Sequence, residues 1–245
     1  MARVLSTVYW LLVVLSSALL FSMAALIWAL TIALDRRRVL LHRFTCFWAS
    51  LYTWLNPAWP VTVHGRDTID PRRTYVMVAN HLSLVDIFVL FRLRVHFKWV
   101  SKIENFKLPF IGWNMTLNDY VPLRRGDKQS VIEMFDHCRR TLKSGSSIMM
   151  FPEGTRSKTG ALKAFKPGAF ELAIENGCPV LPIVIQGSHE ALPKKGFTLR
   201  PQRIRVTVLE PVEPETFGDA SPEQLAERVR GIIEQFQSDH PWPAP

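Results

Sequence analysis

The chain is poor in cysteine and shows no metal-binding spacing. Its three cysteines, Cys46, Cys138 and Cys178, lie far apart, form no CxxC pair and have no histidine at metal-ligand spacing. We therefore expect three reduced thiols, which suits a domain that faces the cytosol. An HExxH-like motif is also missing, so the sequence predicts a site that works without a metal, and we expect no other cofactor.

Acidic residues are scarce before position 210. Residues 1–209 hold 28 basic and 13 acidic side chains, residues 210–245 hold two basic and eight acidic ones, and the net charge is +9. A basic body favours a polyanionic partner, either nucleic acid or the anionic face of a bilayer. No motif of a DNA-recognition helix, a zinc finger or an RNP strand is recognisable in the sequence. We therefore expect no nucleic-acid partner and favour the bilayer.

Charge is absent altogether from Val4 to Leu34. As a helix this run would be ~46 Å long, compared with a hydrocarbon core of ~30 Å. The apolar region of a cleaved signal peptide has only ~7–15 residues, so we expect a retained membrane anchor. The run could cross the bilayer, fold into a hairpin or lie in one leaflet.

Three arginines, Arg36, Arg37 and Arg38, follow the apolar run directly. Loops rich in arginine and lysine favour the cytoplasmic side of a membrane. We therefore expect a membrane protein whose following domain faces the cytoplasm, at the inner membrane if the chain is bacterial.

Residues 39–59 are predicted to form an amphipathic helix rich in aromatic side chains. Apolar residues recur there at spacings of three and four, with Trp54 and Trp59 near the end. Such a helix is either a core helix or a membrane-surface helix, and the tryptophans beside the preceding arginines favour the headgroup layer. We predict an anchoring module over residues 1–59 and one further domain over residues 60–245.

After Pro60, short apolar runs alternate with segments of helical length, which is typical of an α/β domain. The predicted strands lie near 61–64, 74–79, 97–100, 119–123, 147–151, 180–185 and 203–209. The predicted helices lie near 84–94, 128–143, 166–176 and 222–237.

A histidine and an aspartate follow the second predicted strand. His81 and Asp86 are five residues apart, where the strand gives way to a helix, and functional sites of α/β domains lie at strand ends. On one continuous helix they would point ~140° apart, so they can meet only if His81 lies in the turn. The carboxylate would then fix the imidazole tautomer, and the free ring nitrogen could take a proton from a substrate hydroxyl. The alternative is that His81 and Asp86 form a hydrogen bond that only stabilises the structure.

Another predicted strand, 147–151, also ends in polar residues. Phe151 and Pro152 are followed by Glu153, Gly154, Thr155 and Arg156. Gly154 would permit a tight turn, and the guanidinium of Arg156 offers a planar fork of donors suited to a phosphate. A surface ion pair between Glu153 and Arg156 is the alternative.

These two blocks together resemble the lysophosphatidate (1-acylglycerol-3-phosphate) O-acyltransferase family. Two more blocks agree with the family: Tyr120–Gly126 resembles its acceptor-binding block and Val180–Ile185 its apolar strand. With Lys102 and residues 109–113, the resemblance extends from about residue 61 to 210. It implies a glycerolipid acyltransferase-like fold, a mixed sheet flanked by helices with an N-terminal membrane-embedded helical module.

The resemblance also implies roles for individual residues. His81 resembles the catalytic base and Asp86 its orienting partner. Residues that resemble substrate-binding positions are Lys102, Arg124, Arg125, Glu153, Gly154, Thr155 and Arg156. The family more often has an acidic residue before the phosphate-binding arginine, where this chain has Arg124, so either arginine could hold the phosphate.

The predicted activity is that of a 1-acylglycerol-3-phosphate O-acyltransferase. An acyl group would pass from acyl-carrier protein or acyl-CoA to the free sn-2 hydroxyl of lysophosphatidic acid, giving phosphatidic acid. Other lysolipid acceptors, including lyso-ornithine lipid, remain open, as does a covalent intermediate on Ser83. The alternative from another class is a non-catalytic protein that binds anionic lipid, which would need the basic face but not His81.

Overall fold

The architecture is a seven-stranded sheet covered by helices on both faces. The computed structural model describes residues 2–193 and 198–243. In chain order, the strands are β1 Val61–His64, β2 Val76–Ala79, β3 Phe97–Lys102, β4 Val121–Leu123, β5 Ser147–Met150, β6 Val180–Gln186 and β7 Ile204–Val208. The spatial order is β1-β7-β6-β2-β5-β3-β4.

All neighbouring strands are parallel except β6 and β7, which are antiparallel. The sheet is therefore mixed, as the family resemblance implies. Because β2, β3, β4, β5 and β6 are parallel to one another, their carboxyl ends meet at one edge of the sheet. Chemistry-bearing residues that follow different strands are brought together there.

The α-helices are α1 Ala2–Thr31, α2 Val39–Trp54, α3 Val85–Leu90, α4 Ile111–Leu117, α5 Lys128–Lys143, α6 Gly168–Asn176, α7 Ser188–Ala191 and α8 Pro222–Asp239. Local sequence explains where the longer ones begin. The Asp127 carboxylate accepts a hydrogen bond from the Ser130 backbone N–H, and Ser221 with Gln224 forms a complete capping box before α8.

Two apolar layers enclose the sheet because successive strand residues point to opposite faces. On β2, Met77 and Ala79 join the layer that includes α2 and α3, whereas Val76 and Val78 join the layer beneath α5, α6 and α8. All four side chains are fully buried. Such burial on both faces is the normal condition of a parallel strand and explains why β2 reads as a continuous apolar run.

Helix α1 is long and apolar enough to cross a membrane, and an 18-residue window within Arg3–Thr31 has a mean hydropathy of 2.4. One side packs against α2 and α4, and Val13, Leu20 and Ala24 are buried in that contact. Tyr52 of α2 ties the two helices together, because its hydroxyl donates to the Val13 carbonyl and its own carbonyl accepts from Tyr9. The opposite side of α1 is apolar and exposed.

Helix α2 combines features of a core helix and of a surface helix. Cys46 and Ala49 are buried in the main core, and the His42 imidazole contacts the Tyr120 hydroxyl at 2.9 Å. Leu40 and Phe47 are exposed. The helix therefore fastens α1 to the sheet while leaving an apolar face outward.

The prediction of free thiols is confirmed, since Cys46, Cys138 and Cys178 are unpaired and buried. Burial raises the pKa of the Cys46 and Cys138 thiols to about 12. These cysteines are protonated, inert core residues.

Each predicted strand is present, with ends that differ by up to two residues. Helices α4 and α7 were not predicted because each is shorter than two and a half turns.

Candidate active site

His81 lies in the turn that follows β2, at the carboxyl edge of the sheet. The preceding residue, Asn80, is fully buried, and its side-chain amide exchanges two hydrogen bonds with the backbone of Ile185 on β6. The His81 carbonyl accepts from the Ser157 N–H at 2.7 Å. The turn is thereby fixed to β6 on one side and to the loop after β5 on the other.

The His81 and Asp86 side chains meet as the sequence predicted. Nδ1 of His81 lies 2.8 Å from Oδ2 of Asp86, and the same oxygen accepts from the backbone N–H groups of Leu82 and Ser83. Asp86 is fully buried in the first turn of α3. A carboxylate in this position requires Nδ1 to carry the proton, so Nε2 is left as the acceptor.

Phe151 and Glu153, from the loop after β5, hold the histidine from the other side. The Phe151 ring stacks on the imidazole, with centroids 3.9 Å apart and an interplanar angle of 10°. Oε1 of Glu153 accepts from the His81 backbone N–H at 2.7 Å, and Oε2 accepts from Lys163 N–H. Burial raises the pKa of Glu153, although these backbone hydrogen bonds oppose the rise. Glu153 is therefore placed to orient the His81 turn from within the protein.

A cavity of about 700 Å³ opens in front of His81. That volume is in the normal range for ligand sites. Much of its lining is apolar and comes from α1, α2 and α3, with residues that include Trp10, Val13, Trp48, Tyr52 and Phe88. An elongated apolar group could thus extend from the imidazole toward the contact between α1 and α2.

The cavity lining also carries three cationic side chains. Lys102 at the end of β3, Arg125 after β4 and Lys166 before α6 all line it. The first residues of α6, Gly168 and Ala169, line it as well, and the amino end of a helix attracts anions. Lys102 also forms an exposed ion pair with Glu104 at 3.2 Å, which contributes little.

Lys166 is the site residue that the sequence interpretation missed. It packs on Gly154, where an added Cβ would lie 3.1 Å from Lys166 Cε, and Gly154 has a φ of +70°. Glycine at this position therefore satisfies both the turn conformation and the approach of the lysine. The available signal was a lysine directly before Pro167 and Gly168, at the start of a predicted helix.

The structure distinguishes the two adjacent arginines. Arg125 lines the cavity, whereas the Arg124 side chain is 61% exposed and lies 4.0 Å from Asp127, outside the lining. Among the other predicted substrate-binding residues, Gly154 lines the cavity. Glu153, Thr155 and Arg156 belong to the same loop but lie outside the lining.

Ser83 does not line the cavity. Its side chain is fully buried, and its hydroxyl donates to the Leu192 carbonyl at 2.6 Å. The Val85 N–H lies 3.3 Å from the same oxygen. These contacts give Ser83 a structural role at the start of α3.

Within residues 2–193 and 198–243, no group of three or more histidine, cysteine or acidic side chains is arranged to hold a metal ion.

Comparison with known proteins gives consistent results. The family described as Acyltransferase matches residues 60–186. A 1-acyl-sn-glycerol-3-phosphate acyltransferase of Chlamydomonas reinhardtii is 36% identical over 83% of this chain and 60% of its own length. The chloroplastic enzyme LPAT1 of Arabidopsis thaliana is 37% identical over 72% of this chain and 49% of its own. The chain thus spans about half to three fifths of these relatives.

A solved structure shares the fold. The 1-acyl-sn-glycerophosphate (LPA) acyltransferase PlsC of Thermotoga maritima superposes with a TM-score of 0.79 over the full length of both chains, at 24% identity. The glycerolipid acyltransferase-like fold expected from the sequence is therefore confirmed. The family match covers more than half of the chain and includes the His81 turn, the β4 block and the Glu153 loop. This chain belongs to the acyltransferase family.

Proposed function

We propose that the chain acylates the free sn-2 hydroxyl of lysophosphatidic acid with a fatty acyl group taken from a thioester, giving phosphatidic acid. The observation that carries this proposal is the cavity, whose lining combines His81 with apolar side chains of α1, α2 and α3 and with the cations Lys102, Arg125 and Lys166. A lysophosphatidate places its reactive hydroxyl between a phosphate and an acyl chain. The relatives that match over most of this chain are named for the same reaction.

The proton transfers of the proposed reaction involve only groups of the substrates and His81. Nε2 accepts the proton of the acceptor hydroxyl as its oxygen attacks the thioester carbonyl, forming a C–O bond. The C–S bond then breaks, and the thiolate takes the proton back from the imidazolium. Asp86 holds the ring and stabilises its charged form, while Lys102, Arg125 and Lys166 hold the phosphate so that the hydroxyl faces His81.

The cavity is lined by residues from both sides of the domain boundary predicted from sequence, which separates residues 1–59 from residues 60–245. We propose that residues 1–59 attach the protein to a membrane, and that residues 60–245 carry the catalytic groups. Trp10 and Val13 of α1 and Thr45 of α2 line the cavity, so the anchoring module would also form the acyl-binding wall. Arg36–Arg38, just after α1, support a catalytic domain on the cytoplasmic side.

The activity assay uses a labelled long-chain acyl thioester in two forms, bound to acyl-carrier protein or to coenzyme A. The acceptors are lysophosphatidate, neutral and zwitterionic lysolipids, and lyso-ornithine lipid, with His81→Ala as the inactive control. Phosphatidic acid formed by the wild type alone would support the proposal. His81-dependent acylation of a different acceptor would keep the mechanism and change the assigned headgroup. If no acceptor were acylated in a His81-dependent way, lipid binding would be left as the function.

The acceptor phosphate should be held by Arg125 and not by Arg124. We expect Arg125→Gln to raise KM for lysophosphatidate by about 10- to 100-fold, because a charge-assisted hydrogen bond contributes roughly 1.5–3 kcal/mol. Arg124→Gln is the matched control and should change KM by less than about twofold. Equal effects of the two substitutions, measured in steady-state assays, would contradict this assignment.

Direct transfer predicts that Ser83 is dispensable for chemistry. We expect Ser83→Ala to keep at least about a third of the wild-type kcat, with a loss of roughly 1 kcal/mol of stability from the broken hydrogen bond to Leu192. Activity and thermal unfolding of the purified variant measure the two effects. A folded Ser83→Ala variant without activity would instead indicate a covalent acyl-enzyme.

A further inference from the structure

A second cavity, of about 390 Å³, lies at the amino end of the sheet, away from His81. It is enclosed by the turn after α1, the start of β3, the last turns of α5 and the residue before β5. Its lining consists of Arg36, Arg37, Lys98, Asp119, His137, Arg140, Thr141, Ser144 and Ser146. None of these residues belongs to the proposed catalytic site.

The lining carries four cationic side chains and one carboxylate. The carboxylate, Asp119, is paired with His137 at 3.3 Å. Arg37 donates to the Gly145 carbonyl at 2.8 Å. For Arg36 and Arg140, the part of the chain that the structure describes provides no ion-pair partner. The cavity therefore has an excess of positive charge.

Lys98 distinguishes this cavity from an ordinary basic surface. The residue is 3% exposed yet lines the cavity, and its ammonium donates to the Asn118 carbonyl at 2.5 Å. Burial lowers the pKa of Lys98 to about 8, with Asp119 opposing the shift. A neighbouring anion would favour the charged form. Asp119 and Asp35 supply part of the negative charge that a buried lysine needs, and an anion in the cavity would add to it.

The site is separate from the catalytic cavity. Lys98 and Lys102 lie at the two ends of β3, about 13 Å apart at ~3.3 Å per residue, and each faces its own cavity. Arg36 and Arg37 belong to the turn that leaves the apolar helix α1, which would place this cavity at the level of lipid headgroups.

We propose that this second cavity binds a phosphate group, supplied by the headgroup of an anionic bilayer lipid beside α1. Arginine and lysine donors match the oxygens of a phosphodiester, and the hydroxyls of Thr141 and Ser146 can add neutral donors. The proposal concerns binding and does not depend on which lysolipid the catalytic cavity accepts.

The test titrates the purified full-length protein in neutral detergent with a short-chain phosphatidylglycerol and, separately, with inorganic phosphate. Calorimetry would measure the dissociation constants. We expect Arg36→Gln/Arg140→Gln to weaken phosphatidylglycerol binding about tenfold or more, while basal acyl transfer in detergent is retained. Arg125→Gln, which alters the catalytic cavity, should leave this binding component unchanged.

The matched control is Arg43→Gln/Lys143→Gln, which removes the same charge from exposed positions near this end of the molecule but outside the cavity. It should keep binding within about twofold of the wild type. Equal losses in both double variants would show general surface attraction and overturn the site, as would unchanged binding in Arg36→Gln/Arg140→Gln. Cavity-dependent binding of inorganic phosphate but not of the lipid would retain the anion site and overturn its lipid source.

Discussion

Replacing His81 with alanine is expected to lower kcat for acyl transfer by about 10³-fold, because the substitution removes the only group proposed to accept the hydroxyl proton. The fold should persist. Asp86 would still accept hydrogen bonds from the Leu82 and Ser83 backbone, and Glu153 would still hold the turn through the backbone N–H of residue 81. Steady-state kinetics with saturating thioester and lysophosphatidate measure the loss, and thermal unfolding checks the fold.

His64→Ala is the matched control, since His64 is an exposed histidine at the end of β1. It should leave kcat within about twofold of the wild type. A folded His81→Ala protein that kept more than about a tenth of the wild-type kcat would rule out a general base at this position. The reaction would then have to draw its rate from binding and orientation alone.

Asp86→Asn is expected to lower kcat by about 10²- to 10³-fold with little change in KM. The amide cannot offer the negative charge that stabilises the imidazolium, and its nitrogen can present a donor to Nδ1, which would favour the wrong tautomer. Because Asp86 is fully buried behind the imidazole, it does not touch the substrate, so an effect confined to kcat distinguishes positioning from substrate binding.

Asp70→Asn provides the control for loss of a carboxylate, since Asp70 forms an exposed pair with Arg72. It should have no measurable effect on either kinetic constant. If Asp86→Asn raised KM while kcat stayed near the wild-type value, Asp86 would not act through His81. A large drop in unfolding temperature would indicate that its hydrogen bonds to Leu82 and Ser83 matter mainly for stability.

Much of the fold was predictable because strand and helix patterns are local. Buried runs such as Val76–Ala79 and residues 180–185 are apolar throughout, and α5 is strongly amphipathic, so both types of element can be recognised within a short window. The order of strands is not local. Nothing in the sequence of β6 and β7 states that they pair antiparallel while their neighbours are parallel, since that depends on how the connecting chain crosses the sheet.

The site residues also fall into two groups, those predictable from local sequence and those that depend on tertiary contacts. The His81 and Asp86 contact spans five residues, so chain geometry alone required the histidine to lie in the turn for the two to meet. Arg124 and Arg125 are identical in chemistry, and only the direction of the chain after β4 decides which of them reaches the cavity. Lys166 was missed because its approach to Gly154 is a tertiary contact with no counterpart in sequence spacing.

The strands, the longer helices, the family resemblance and the His81 and Asp86 pair were predictable from sequence, because these depend on residue types at short separations. Three features could be seen only in the folded protein: which cations share one cavity, the contribution of α1 and α2 to its apolar lining, and the second cationic cavity at the opposite end of β3. The physical reason is that a cavity is enclosed by side chains distant in sequence. Their meeting depends on strand order and on helix packing, and neither is encoded within a single local segment.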